Sequence, residues 1–192
     1  MGGGISVNYW SPSTVLTIDN NTRVLNNVSG AVGGGTGGGG GIMLDGSNLA
    51  TTPATLSKIV VSGNSEGAAA SKQGGAGIYV GLANANILYS RIANNALGGQ
   101  GSGLFKSIDS GTVNAVNNWW GCSTGPTAAP CDTAVLEAGS SGSLAHTPYL
   151  RVLTTAVPST LLVNQTAAIT ASVLTNSAGG SVAGNIDRLI GL

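Results

Sequence analysis

The chain has 192 residues, of which 7% are charged, with seven basic and seven acidic side chains and a formal net charge of zero. So sparse and balanced a charge leaves no basic surface for nucleic acid or an anionic membrane, and no apolar run reaches the roughly 18 residues of a spanning helix. Hydrophobic residues at 42% argue against disorder, which combines low hydrophobicity with high net charge.

The opening "MGGGISVNYW" has neither the basic region nor the apolar core of a signal peptide. A glycine run leading straight into a strand reads as a piece of a longer protein. Short apolar clusters follow in order: "GISVNYW", "STVLTID", "GIMLD", "SKIVVSG", "GIYVGL", "ANILYSRIANN", "GTVNAVNN" and "TLLVNQTAAITASVLT". Glycine and β-branched residues interrupt each cluster, and Glu/Lys pairs are almost missing, so the clusters predict strands and an all-β chain.

Four segments begin alike, at Gly2, Gly39, Gly75 and Gly101, each leading to Ile5, Ile42, Ile78 or Leu104. Each is followed by a second strand ending in asparagine, at Asn27, Asn64, Asn95 and Asn118. Fixed landmarks at a variable period predict a parallel β-helix, whose coils stack about 4.8 Å apart and take insertions at their turns. Glycine suits sharp corners, and asparagine tolerates the left-handed region and can bond a neighbouring turn. The tract from Gly30 to Gly41 reads as a glycine-filled turn or a flexible linker. It is no phosphate loop, because Ile42 and Met43 follow it where Lys and Ser or Thr would be needed. Triplets of the glycosylation type begin at Asn20, Asn27 and Asn164 and carry little weight in so Asn-rich a chain.

The stretch "NNWWGCSTGPTAAPC" then holds two adjacent tryptophans and both cysteines. On a strand, neighbouring side chains point to opposite faces. One of Trp119 and Trp120 is therefore expected in the bore and the other outside, under the following segment. Asn118, Trp119 and Trp120 are expected to close the end of the stack, with Cys122 and Cys131 pinning the loop. A ring of about ten residues corresponds to roughly 3 kcal/mol in the chain-entropy model. Two thiols with a distant His146 make a poor zinc site, and the spacing is not that of a redox pair. A structural disulfide places the chain in an oxidising compartment, extracellular or on a cell surface.

The run "NNWWGCSTGPTAAPCDT" resembles the closing segment of right-handed parallel β-helix (pectin-lyase-like) domains in large secreted or surface-displayed bacterial proteins. There a similar run, a Gly-Pro pair and a second cysteine follow the last coil, and a step like "HTPYL" comes next. "AVPSTLLVNQTAAITASVLTNSAGGSVAG" resembles the first two strands of a bacterial immunoglobulin-like domain, with Gln165 near their turn. The glycine and asparagine repeats are also similar to those of autotransporter-type outer-membrane proteins, without their regular Phe. The resemblance implies coils over 1–121, a capping segment over 122–151, and an incomplete immunoglobulin-like domain over 152–192, since two strands cannot bury a sandwich core.

The seven acids are Asp19, Asp45, Glu66, Asp109, Asp132, Glu137 and Asp187. No two lie together on one strand, Asp45 and Asp109 are expected at different coil positions, and each basic residue stands alone. No catalytic residue, cofactor or metal site is assigned. The expectation is a non-catalytic stalk or adhesin module with a carbohydrate or cell-surface ligand as possible partner, without nucleic acid or a membrane span. The alternative is a carbohydrate-binding or polysaccharide-cleaving β-helix whose active residues lie outside this chain. Tyr9, Trp10, Tyr79, Tyr89 and Phe105 are the aromatic candidates for stacking on sugar rings.

Overall fold

The computed structural model describes residues 3–8, 15–29, 39–46, 52–66, 74–96, 101–107 and 109–186. Tyr9, Trp10, Asp187 and the glycine tract from 30 to 38 lie outside them. The described residues form strands and turns with no helix, and the fold is all-β. The first circuit of the chain gives β1 (Ile5–Asn8), β2 (Thr17–Asp19), β3 (Arg23–Leu25) and the short β4 (Val28–Ser29). The second repeats the order with β5 (Ile42–Asp45), β6 (Ala54–Ser57), β7 (Val60–Ser62) and β8 (Ser65–Glu66). The third gives β9 (Ile78–Val80), β10 (Ala85–Leu88) and β11 (Arg91–Ala93). The fourth gives β12 (Leu104–Lys106) and β13 (Thr112–Asn114), and the fifth β14 (Ala134–Leu136) and β15 (Ser143–Ala145).

Each circuit lays its strands in parallel on those of the circuit before. The first sheet runs β1-β5-β9-β12-β14, the second β2-β6-β10-β13-β15 and the third β3-β7-β11. Such ladders, with equivalent strands paired in parallel circuit after circuit, are compatible with a β-helix-like fold. The glycine landmarks coincide with the register, because Ile5, Ile42, Ile78, Leu104 and Ala134 are successive partners in the first sheet. Alternate residues enter the core: Ile42, Leu44, Ile78 and Leu104 are fully buried there, with Leu56, Ile87, Val61, Ile92 and Val113 from the other sheets. Aliphatic side chains of one column meet their equivalents above and below, so each circuit buries its neighbour's apolar surface.

Parallel pairing does not stop at residue 121. β14 pairs with β12 and β15 with β13, so both sheets gain a strand beyond the cysteine loop. The chain then leaves the parallel stack. β16 (Leu153–Val157) and β17 (Ala168–Ser172) pair antiparallel, and Val157, Leu162, Val163 and Ile169 around them are exposed.

Candidate functional site

Three of the four asparagine landmarks form one continuous ladder. Asn27 donates from its main-chain N and its Nδ2 to Asn64 Oδ1, at 3.0 and 2.9 Å. Asn64 donates in the same way to Asn95 Oδ1, at 3.1 and 3.0 Å. Asn95 in turn donates to Asp132, from its N at 3.0 Å and its Nδ2 at 2.7 Å to Oδ2. The second hydrogen of each inner amide goes back one circuit, from Asn64 to the Val24 carbonyl and from Asn95 to that of Val61. An asparagine is the side chain that both accepts from one neighbour and donates to the next. A repeating turn that buries its polar groups requires that pairing.

The ladder also lies against the glycines that precede β5 and β9, where a Cβ would first meet the carbonyl of the next circuit, Gly77 O at 2.7 Å for Gly41 and Gly103 O at 2.5 Å for Gly77. A Cβ on Gly41 would lie 2.9 Å from Asn64 Nδ2, and one on Gly77 would lie 3.0 Å from Asn95 Nδ2. The two sequence landmarks are thus two halves of one contact, with the amide column lying against the glycine column.

The last rung is Asp132, and the fourth asparagine landmark, Asn118, takes no part in the ladder. Trp119 is the register partner of Arg91, which places Trp120 at the level of Ile92 and Gly121 at that of Ala93. The cysteine loop is inserted before the ladder residue, so the rung moves to Asp132. Asn118 belongs to a different corner, between the second and third sheets. It is fully buried there. Its Nδ2 donates to the carbonyls of Ile87 and Ala115 at 2.6 and 2.8 Å, and its Oδ1 accepts from Ser90 N at 2.8 Å.

As a carboxylate, Asp132 can end the ladder because it only accepts. Burial pushes its pKa above the ordinary 3.8, against the opposing hydrogen bonds from Asn95 and Asn94. The native state therefore holds the Asp132 proton to higher pH than the unfolded chain, and stability falls as pH rises from about 3.8 through the raised native value. Glu66, also raised by burial, acts with the same sign. In Asp132→Asn the Asp132 share of this fall is expected to vanish, leaving the part due to Glu66. Denaturant midpoints of both proteins from acid to neutral pH read the difference, and parallel curves would contradict it.

The tryptophans divide as alternation requires. Trp120 is fully buried in the main core, whereas Trp119 packs in a second cluster with Ala93, Leu150 and Val182. The residues over Trp119 come from later in the chain, held by Asn176 Nδ2 donating to Asn117 Oδ1 at 2.8 Å and Ser177 N donating to the Tyr149 carbonyl at 2.8 Å. Cys122 and Cys131 form a disulfide with Cα atoms 5.1 Å apart. Asp132 N donating to the Trp120 carbonyl at 2.8 Å closes the base of its loop, and Ala134 N donating to the Pro126 carbonyl at 2.9 Å ties the middle of the loop to β14. Cys122→Ser with Cys131→Ser is expected to lower stability by about 3 kcal/mol. Equilibrium unfolding measures the loss, and an unchanged midpoint under non-reducing conditions would contradict it.

A feature the sequence reading passed over is Lys106. It lies in the inner column Val7, Leu44, Val80, Lys106, Leu136 of the first sheet and is fully buried. Its Nζ donates to the carbonyls of Gly81 at 2.7 Å, Asp109 at 2.8 Å, Ser110 at 3.1 Å and Ser107 at 3.3 Å. Burial lowers its pKa, while the charges of Asp109, Asp45 and Glu137 oppose that. The same three carboxylates, after burial itself, raise the Tyr79 pKa. Stacking thus brings Asp45, Asp109 and Glu137 near Lys106, although Asp45 and Asp109 were expected at different coil positions. The available signal was register: "GSGLFK" aligned on "GGGIML" and "GAGIYV" sets Lys106 where Leu44 and Val80 stand.

Of the aromatic candidates among the described residues, Tyr79 and Phe105 are buried and stacked with ring centroids 6.1 Å apart, and Tyr89 packs on the Trp119 cluster. His146 is half-buried, and burial lowers its pKa. Among the described residues no three His, Cys, Asp or Glu side chains gather into a metal-binding group, and no helix is long and apolar enough to cross a membrane. Compared with protein-family models, curated proteins and solved structures, the chain matches none.

Proposed function

We propose that this chain is a structural or adhesive module of an extracellular or cell-surface protein. In this reading a right-handed parallel β-helix of the pectin-lyase-like kind is closed by the Trp119–Trp120 pair and the disulfide loop. An immunoglobulin-like domain begins near residue 152. The observation that supports it most is where the buried polar groups go. Asn27, Asn64, Asn95 and Asp132 are bonded to one another, and Asn118 is bonded to backbone groups of its own and the preceding circuit, which serves rigidity along the stack. The disulfide is consistent with an extracellular location. The antiparallel β16–β17 pair, with its exposed aliphatic side chains, suits two strands of a sandwich sheet.

The test is to incubate the purified chain with acidic and neutral polysaccharides, following both retention on the immobilised polymer and release of reducing ends. Retention, or inertness, without release fits a stalk or adhesin. Release in proportion to protein concentration would overturn the non-catalytic reading in favour of polysaccharide cleavage.

A further inference from the structure

The first sheet is lined inside by aliphatic side chains, and Lys106 interrupts that lining. Its stem rises past Gly142, where a Cβ would come within 3.1 Å of Lys106 Cε, and its ammonium ends in a turn built from backbone oxygens. Four carbonyls converge on Nζ within 2.7–3.3 Å. An ammonium has three N–H donors, so four oxygens around it form a coordination shell and exceed a set of one-to-one hydrogen bonds. A second layer holds those oxygens in place. Ser140 Oγ donates to the carbonyls of Ser107 and Asp109 at 3.0 and 3.2 Å, and Ser107 Oγ donates to Asp109 Oδ2 at 2.8 Å. The carboxylates of Asp109, Asp45 and Glu137 lie near enough to favour a positive charge at this point.

We propose that the carbonyls of Gly81, Ser107, Asp109 and Ser110 form a cation-binding cage whose cation is the chain's own Lys106 ammonium, and that this cage takes a free monovalent cation when the lysine is cut away. The oxygen distances are longer than the roughly 2.3–2.6 Å of calcium coordination. They suit a large, weakly hydrated ion held by carbonyl dipoles, as potassium is, or ammonium, the group already there. The nearby carboxylates of Asp45, Asp109 and Glu137 add to the attraction for such an ion.

The test compares thermal unfolding of the full chain and of Lys106→Ala and Lys106→Met, in choline, lithium, sodium, potassium and ammonium chlorides at equal ionic strength. In choline chloride both variants are expected to melt roughly 10 °C below the parent. Lys106→Ala, with the space open, should regain most of that loss in ammonium or potassium and little in lithium. Lys106→Met, whose stem refills the space without charge, should not respond to the choice of cation. Ion-independent melting of Lys106→Ala, or its failure to fold in every salt, overturns the proposal. So does a wild-type lysine ¹⁵N spectrum in which Lys106 carries a neutral amine, since the cage requires a protected, slowly exchanging ammonium.

Discussion

Trp120→Ala is expected to lower stability by about 4 kcal/mol, close to a 10 °C drop in thermal midpoint for a chain of this size. The indole is fully buried and fills the level of the inner column above Val24, Val61 and Ile92, which are register partners. It also meets the first sheet, since a Cβ on Gly103 would lie 3.0 Å from Trp120 Cζ3. Backbone ladders fix the strands on both sides, so the site cannot collapse, and the truncation leaves most of its volume as a cavity. Trp119→Ala should behave differently. Its indole contacts Leu150 and Val182 outside the parallel sheets, and its loss should loosen the segment around Asn176–Val182 while the stack stays intact. Limited proteolysis distinguishes the two: Trp119→Ala should be cut first in that segment, whereas Trp120→Ala should be degraded throughout. Equal and local sensitivity in both variants would contradict the inward and outward assignment.

Asn95→Leu is expected to cost about 4 kcal/mol, although it replaces a buried polar residue with an apolar one of similar size. The amide of Asn95 accepts two hydrogen bonds from Asn64 and gives one each to the Val61 carbonyl and Asp132. Leucine would leave these partners buried without bonds, and each such group costs about 1–3 kcal/mol. Asn27→Leu removes an end rung that is only half-buried and gives one side-chain bond to Asn64. Its expected cost is about 1 kcal/mol. Chemical denaturation of the two variants measures the gradient along the ladder. Equal losses at Asn27 and Asn95 would show that the ladder does not act as a unit.

Much of this architecture is written in the sequence because the stack repeats the same demands. A strand must start beside the amide column and the next circuit's backbone, so glycine recurs before Ile5, Ile42 and Ile78. The turn must bury polar groups, so asparagine recurs at 27, 64 and 95. The fourth rung was harder to place because "NAVNN" has the letters of "RIANN". Asn117 has positive φ like Asn94, yet it stands at the corner occupied by Tyr89 one circuit earlier. The shift follows from the insertion of the disulfide loop, after which "CDTAVL" restores the register with Asp132 as rung and Ala134 opposite Leu104. Lys106 was missed because a lone basic residue looks solvated in a one-dimensional reading. Only the inner column shows it entering the core. Asp45 and Asp109 were set apart by their different coil positions, but two side chains need not share a register position to lie near one ammonium.

The most direct test of the stacked ladder is residue-resolved amide hydrogen exchange at the ladder positions. The main-chain N–H groups of Asn64 and Asn95 are donors to side-chain oxygens one circuit away, and neither belongs to a strand. The account predicts that both exchange as slowly as the core strand amides of Ile78 and Ile92. Exchange at the rate of an open turn would contradict it, showing that the asparagines line a solvated bend and do not hold the circuits together.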